Sequence, residues 1–128
     1  MIYLDSSVAL AHLLAERTRP SKRLWETPVV SSRLLEYEIW NRLHARGLGR
    51  SLVGAADRLL GGFEFVELTP AVLRRALDPF PVPVRALDGL HLATIEFLRA
   101  EGGTVALASY DARLKAGALA LGIPLHEL

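Results

Sequence analysis

The sequence predicts an α/β/α sandwich, one domain built on a central, mainly parallel sheet. Three observations carry that prediction. Short apolar runs alternate with helical patterns along the chain, and strands separated by helices pair in parallel and are covered on both faces. No linker, low-complexity tract or internal repeat divides residues 1–128, so the chain is one domain throughout. A content of 51% hydrophobic and 23% charged residues excludes a disordered chain, and a domain of this size buries roughly two-thirds of its unfolded surface.

Each element has a local reason. Ile2–Leu4 is a short strand, followed by a helix from about Ser7 to Glu16. A short helix follows Pro20 and runs to about Glu26, and Pro28-Val-Val-Ser forms the second strand. Ser32 caps a long helix that ends near Arg46, ahead of Gly47 and Gly49. A helix from about Ser51 stops at Gly61-Gly62, and Phe63–Glu67 is the third strand. Thr69-Pro70 opens the next helix with a cap and a proline in its first turn. Pro79, Pro81 and Pro83 enforce a loop, after which Asp88 caps a helix to about Ala100, ended by Gly102-Gly103. Thr104–Ala108 is a strand, Asp111 starts the last helix, and Ile123–Leu125 closes as a strand.

Composition narrows the function. Zero cysteines exclude disulfide scaffolds, thiol catalysis and thiolate metal sites. The opening MIYLDSSVALAHLLAE has no basic residue before its apolar run and meets Asp5 at once, unlike a signal peptide. No stretch approaches the ~18 apolar residues of a membrane helix, so a cytoplasmic protein is expected. The net charge of +1 hides an asymmetry: residues 17–58 carry nine basic and four acidic groups, the remainder six basic and ten acidic. One face is therefore expected to attract polyanions and another to hold carboxylates, although solvated Arg-rich helices give the same count.

In parallel sheets, sites form beyond the carboxyl ends of the strands. Asp5 follows the first strand, Asp111 follows Thr104–Ala108 by a few positions, Asp88 leaves the proline-rich loop, and Glu38 lies early in the helix after Val29–Val30. Taken singly, Asp5, Asp88 and Asp111 are ordinary helix caps. Taken together they are a carboxylate cluster, and packed carboxylates repel unless a cation sits among them. Without clustered His or Cys, such a set favours a hard ion, Mg²⁺ or Mn²⁺, with phosphate as the natural substrate group. Such an ion would activate water and neutralise charge on the leaving phosphate.

Four segments, IYLDSSVALAHLL, SSRLLEYEIWNRL, RALDGLHLATIEFL and SYDARLKAGALALGIPL, stand in this order from Ile2 to about Leu125. Together they strongly resemble the PIN-domain family, with the likeness greatest to VapC-type toxins of toxin–antitoxin modules. The resemblance implies a Mg²⁺- or Mn²⁺-dependent endoribonuclease with RNA as substrate, a VapB-like antitoxin as partner, and a homodimer. It places the catalytic, metal-holding acids at Asp5, Glu38, Asp88 and Asp111. Glu36 competes with Glu38 for the second position; the two point to nearly opposite sides of the helix, and helical periodicity does not choose between them. The family pattern of an acid, an apolar residue and then an Arg-Leu pair fits Glu38 with Ile39 and Arg42-Leu43, leaving Glu36 as a surface residue. Lys115 stands where some members carry another acid or amide, so the likeness supports one ion and does not extend to a second.

Neighbouring groups have two readings each. Ser6 and Ser7 support the metal site or cap the first helix; Ser109 supports metal water or phosphate. His91, three residues after Asp88, either backs the site or packs as a hydrogen-bonded histidine. Trp25 and Trp40 are core or interface anchors, and surplus apolar positions in the helices of residues 7–60 offer an antitoxin groove or dimer face. Other phosphate chemistry is unsupported: no G-x-x-x-x-G-K-[ST], G-x-G-x-x-G or G-x-S-x-G occurs. Ser7 stands where a haloacid-dehalogenase-like enzyme has its second Asp, and no acidic pair of a receiver domain follows the first strand. The remaining rival is a catalytically degenerate PIN-like domain that binds RNA or protein, against which the retention of all four acids argues.

Overall fold

The computed structural model describes residues 1–128. Four strands, β1 (Ile2–Leu4), β2 (Val29–Ser32), β3 (Phe63–Val66) and β4 (Ala106–Ala108), form one sheet in the order β3-β2-β1-β4. Every pairing is parallel, with Tyr3 opposite Val30 on one side and Leu107 on the other. The helices are α1 (Ser6–Leu13), α2 (Leu34–Ala45), α3 (Val53–Leu60), α4 (Pro70–Leu77), α5 (Ala86–Ala100) and α6 (Ala112–Ala120), and Lys22–Glu26 is a 3₁₀ turn.

Strand side chains alternate between faces, and that alternation builds the predicted sandwich. Leu4, Val29, Phe63 and Ala108 point to one side and pack with Val8, Leu10, Leu35, Ile39, Leu43 and Leu60 of α1, α2 and α3. Tyr3, Val30 and Leu107 point to the other and pack with Leu92, Ile95, Leu114 and Ala118 of α5 and α6. Gly117 permits the close approach of α6 to α5, since a Cβ there would lie 2.9 Å from Leu92 Cδ1. Trp25 and Trp40 are half-buried against the first core. No helix is long and apolar enough to cross a membrane.

Several boundaries differ from expectation for identifiable reasons. α1 ends at Leu13 rather than near Glu16, because Ala15 takes a left-handed φ of +50° and the Glu16 N–H closes onto the Ala11 carbonyl at 3.0 Å. β4 begins at Ala106, not Thr104, because its partner β1 begins at Ile2. The expected strand Ile123–Leu125 shrinks to one bridge between Leu125 and Leu107, since Pro124 has no N–H to extend the ladder. The helix expected from about Ser51 starts at Val53, and the Ser51 hydroxyl turns back to donate to the Leu48 carbonyl. Ser32 remains in β2, yet its Oγ accepts from the Leu34 N–H at 3.1 Å, so it serves the start of α2 as anticipated. Asp88 is not a cap: α5 starts at Ala86 behind the extended Arg85, which sets Asp88 inside the first turn.

Candidate active site

The strand order makes the site. From β1 the chain steps outward to β2 and β3, then returns to place β4 on the other flank of β1. The carboxyl ends of β1 and β4 are therefore a topological switch point, where crevices open in sheets of this kind. A cavity of about 730 Å³ lies there, and Asp5, Glu38, Asp88 and Asp111 all line it, with Ser6, Ser7, Arg42, Arg46, Arg85 and His91. Glu36 is elsewhere. It pairs with Arg33 at 2.8 Å in an exposed cluster that includes Glu67, with Arg33 lying 4.5 Å over the Phe65 ring.

Asp5 directly follows β1 and is 5% exposed. Burial raises its carboxyl from the ordinary 3.8 to about 6, against the opposing hydrogen bond from Ser7. Ser7 ties the two strand ends together: its hydroxyl donates to Asp5 Oδ1 at 2.7 Å and accepts from the Tyr110 N–H at 2.9 Å. Ser109 Oγ lies 3.5 Å from Ser7 Oγ and accepts from the Asp111 N–H at 2.9 Å. The serines thus brace the carboxylate loops rather than merely cap helices; Asp5 itself makes no side-chain cap bond to α1.

Asp111 does cap its helix, Oδ1 accepting from the Arg113 and Leu114 N–H groups at 2.9 and 3.3 Å. Partial burial pushes its carboxyl up, but those N–H groups and the Arg85 guanidinium hold it below the ordinary range. Arg85 spans two of the acids, with Nε 3.0 Å from Asp88 Oδ2 and Nη2 2.6 Å from Asp111 Oδ2. Glu38 comes from the second turn of α2, where a four-residue spacing sets it in line with Arg42 and Arg46 on the cavity wall. His91 Nε2 lies 2.6 Å from Glu38 Oε1, and the Tyr3 hydroxyl lies 2.6 Å from His91 Nδ1. Both readings of His91 hold: it is buried in the core and it backs an acid of the cavity.

The donors suit a hard divalent ion, being carboxylate and hydroxyl oxygens around one open cavity. One positive charge already sits between Asp88 and Asp111 in the form of Arg85, which shows that the pair accommodates a cation. No three His, Asp or Glu side chains converge on one point as a finished ligand set, however. The cation expected among the carboxylates is supplied in part by the protein itself. A guanidinium neutralises one pair, while burial raises the Asp5 carboxyl to about 6, so that ionised Asp5 remains without a cation of its own. Sequence reasoning missed Arg85 and Tyr3. The three-residue spacing of Arg85 and Asp88 at a helix start was a visible sign of the first; nothing local marked the second.

Fold and site together define a class: a parallel α/β/α domain with an acid-lined pocket at the switch point of its sheet. The chain belongs to the PIN-domain family, whose model matches residues 2–118. It is 32% identical to Ribonuclease VapC46 of Mycobacterium tuberculosis over 95% of this chain and 93% of that protein. It is 30% identical to Ribonuclease VapC47 of the same species, over 95% of this chain and 93% of the relative. The crystal structure of Mycobacterium tuberculosis VapC20, a Sarcin-Ricin loop cleaving toxin, superposes with a TM-score of 0.67. That match covers 91% of this chain and 94% of the other at 23% identity, and it demonstrates the shared fold.

Proposed function

We propose that this chain is a Mg²⁺- or Mn²⁺-dependent endoribonuclease, the toxin of a VapBC-type toxin–antitoxin pair, acting in the cytoplasm as one domain. The observation that carries this reading is the meeting of Asp5, Glu38, Asp88 and Asp111 around one cavity at the ends of β1 and β4. The names of the ribonuclease relatives supply the substrate class, and the family likeness implies the antitoxin partner.

Asp5, Glu38, Asp88 and Asp111 would hold the ion. When bound, it supplies the Lewis acidity that lowers the pKa of an attacking water and offsets charge on the leaving oxygen. The protein's own groups do the rest. Ser7 and Ser109 keep Asp5 and Asp111 at fixed separation across the strand ends. For Asp88 and Asp111 to hold an ion, Arg85 would have to give up its contacts to them, and as a cation lining the cavity it would then be available to RNA phosphate. Arg42 and Arg46 bind the RNA backbone without reading bases. Hydrolysis leaves a 5′-phosphate and a 3′-hydroxyl, as the family likeness implies.

Of the apolar residues in the helices of residues 7–60, Leu24, Leu34, Leu35, Leu43 and Leu60 are spent in the core. Tyr37 and Val53 are exposed, 63% and 46%, and are the positions on α2 and α3 open to an antitoxin helix or a second copy. Light scattering behind size exclusion tests the homodimer. RNA cleavage in Mg²⁺ against EDTA, with 5′ ends sequenced for the wild type and Asp5→Asn, tests the activity. Binding without metal-dependent cleavage would instead support the degenerate binding module.

A further inference from the structure

We propose that Tyr3 and His91 are positioning residues that lock the Glu38 carboxylate with a single oxygen, Oε2, turned to the cavity. The inference rests on the reading of Glu38 as an ion-holding residue. An ionised carboxylate only accepts hydrogen bonds, so the contact at 2.6 Å requires the proton on His91 Nε2. In the neutral ring Nδ1 is then a bare acceptor, and the Tyr3 hydroxyl at 2.6 Å must donate to it. Tyr3 Oη in turn accepts from the Ser32 N–H at 3.2 Å. Donors and acceptors match in one direction along the whole chain, from the β2 backbone through Tyr3 and His91 to Glu38.

The chain is also stiff. Tyr3 is 0% and His91 2% exposed, their rings meet edge-to-face at 80°, and Tyr3 is wedged among Val30, Leu92 and Leu107. With Oε1 committed to His91, Glu38 Oε2 has only the Ser6 hydroxyl, at 3.4 Å. Glu38 therefore presents one oxygen, aimed from the core. Hydrogen-bonded partners of this kind orient ligating groups, and their loss typically costs about 10–100-fold in metal affinity or activity.

The test combines nitrogen NMR of the His91 ring in metal-free wild type with Mn²⁺ titration calorimetry of His91→Ala, His91→Gln and Tyr3→Phe, all checked for folding by circular dichroism. In mildly alkaline buffer the wild-type ring carries its proton on Nε2. His91→Ala weakens Mn²⁺ binding by about 10–100-fold. His91→Gln, whose amide donates from the position of Nε2, recovers most of the loss. Tyr3→Phe removes the donor to Nδ1 while Glu38 still holds the ring proton on Nε2, and it weakens Mn²⁺ binding by less than His91→Ala does. A ring protonated on Nδ1 in the wild type overturns the proposal, as does a folded His91→Gln no better than His91→Ala, or wild-type affinity in His91→Ala. If the alanine variant does not fold, the wild-type tautomer and the His91→Gln affinity decide. Wild type that takes up no Mn²⁺ refutes the metal site itself, while the ring spectrum still reports on the hydrogen-bond chain.

Discussion

Replacing Asp5 by asparagine should make the metal-free protein more stable while removing its activity. Asp5 is 5% exposed, and its carboxyl is raised from 3.8 to about 6 by burial. An acid whose folded pKa is raised favours the fold in its neutral form. That contribution is complete below about pH 3.8 and is lost as pH climbs through about 6. At 1.36 kcal/mol per pH unit, ionised Asp5 costs the metal-free protein about 3 kcal/mol above that window. The uncharged amide of Asp5→Asn avoids the cost, and its side-chain oxygen still accepts from Ser7. Thermal melts in EDTA should show the variant equal to the wild type near the bottom of the window and pulling ahead as pH rises, by up to roughly 10 °C. Adding Mg²⁺ should reverse the order, because ligand binding stabilises only the chain that holds the ion. A variant melting at or below the wild type at every pH would refute the argument that burial loads Asp5 for a cation.

Other perturbations separate the remaining roles. Arg85→Gln removes the cation between Asp88 and Asp111, so the metal-free protein should melt lower and Mn²⁺, by calorimetry, should bind more tightly than to the wild type. Glu38→Gln should abolish RNA cleavage and Glu36→Gln should leave it unchanged, measured on the same RNA with equal folding by circular dichroism. Arg42→Gln and Arg46→Gln should each weaken RNA binding in EDTA, with the slope of log affinity against log salt falling by about 0.7 per lost phosphate contact on single strands; an unchanged slope would move the RNA path elsewhere.

Much of the fold was legible because it rests on local chemistry. The proline at the start of α4 with Thr69 as its cap, and Asp111 capping α6, needed only neighbouring residues, and both are present. The short apolar runs marked β1, β2 and β4, and once these pair in a sheet their alternating side chains supply both cores. What misled were signals whose partners lay outside the local window. Thr104 and Val105 are strand-like, but β1 offers nothing opposite them. Asp88 resembles a cap, but the chain is already helical two residues earlier.

The sequence alone determined the order of strands and helices, the placement of Asp5, Asp88 and Asp111 near strand and helix ends, and an all-oxygen donor set, since these follow from local propensity and residue type. Tertiary structure decided which glutamate enters the pocket. Glu36 and Glu38 sit on one helix with comparable surroundings in sequence, and only packing shows Arg33 claiming one while His91 claims the other. It also decided the charge balance, through Arg85, and the buried route from Tyr3 to Glu38. Hydrogen bonds and ion pairs act over about 3 Å, and groups 88 or 53 residues apart come that close only when the sheet is assembled.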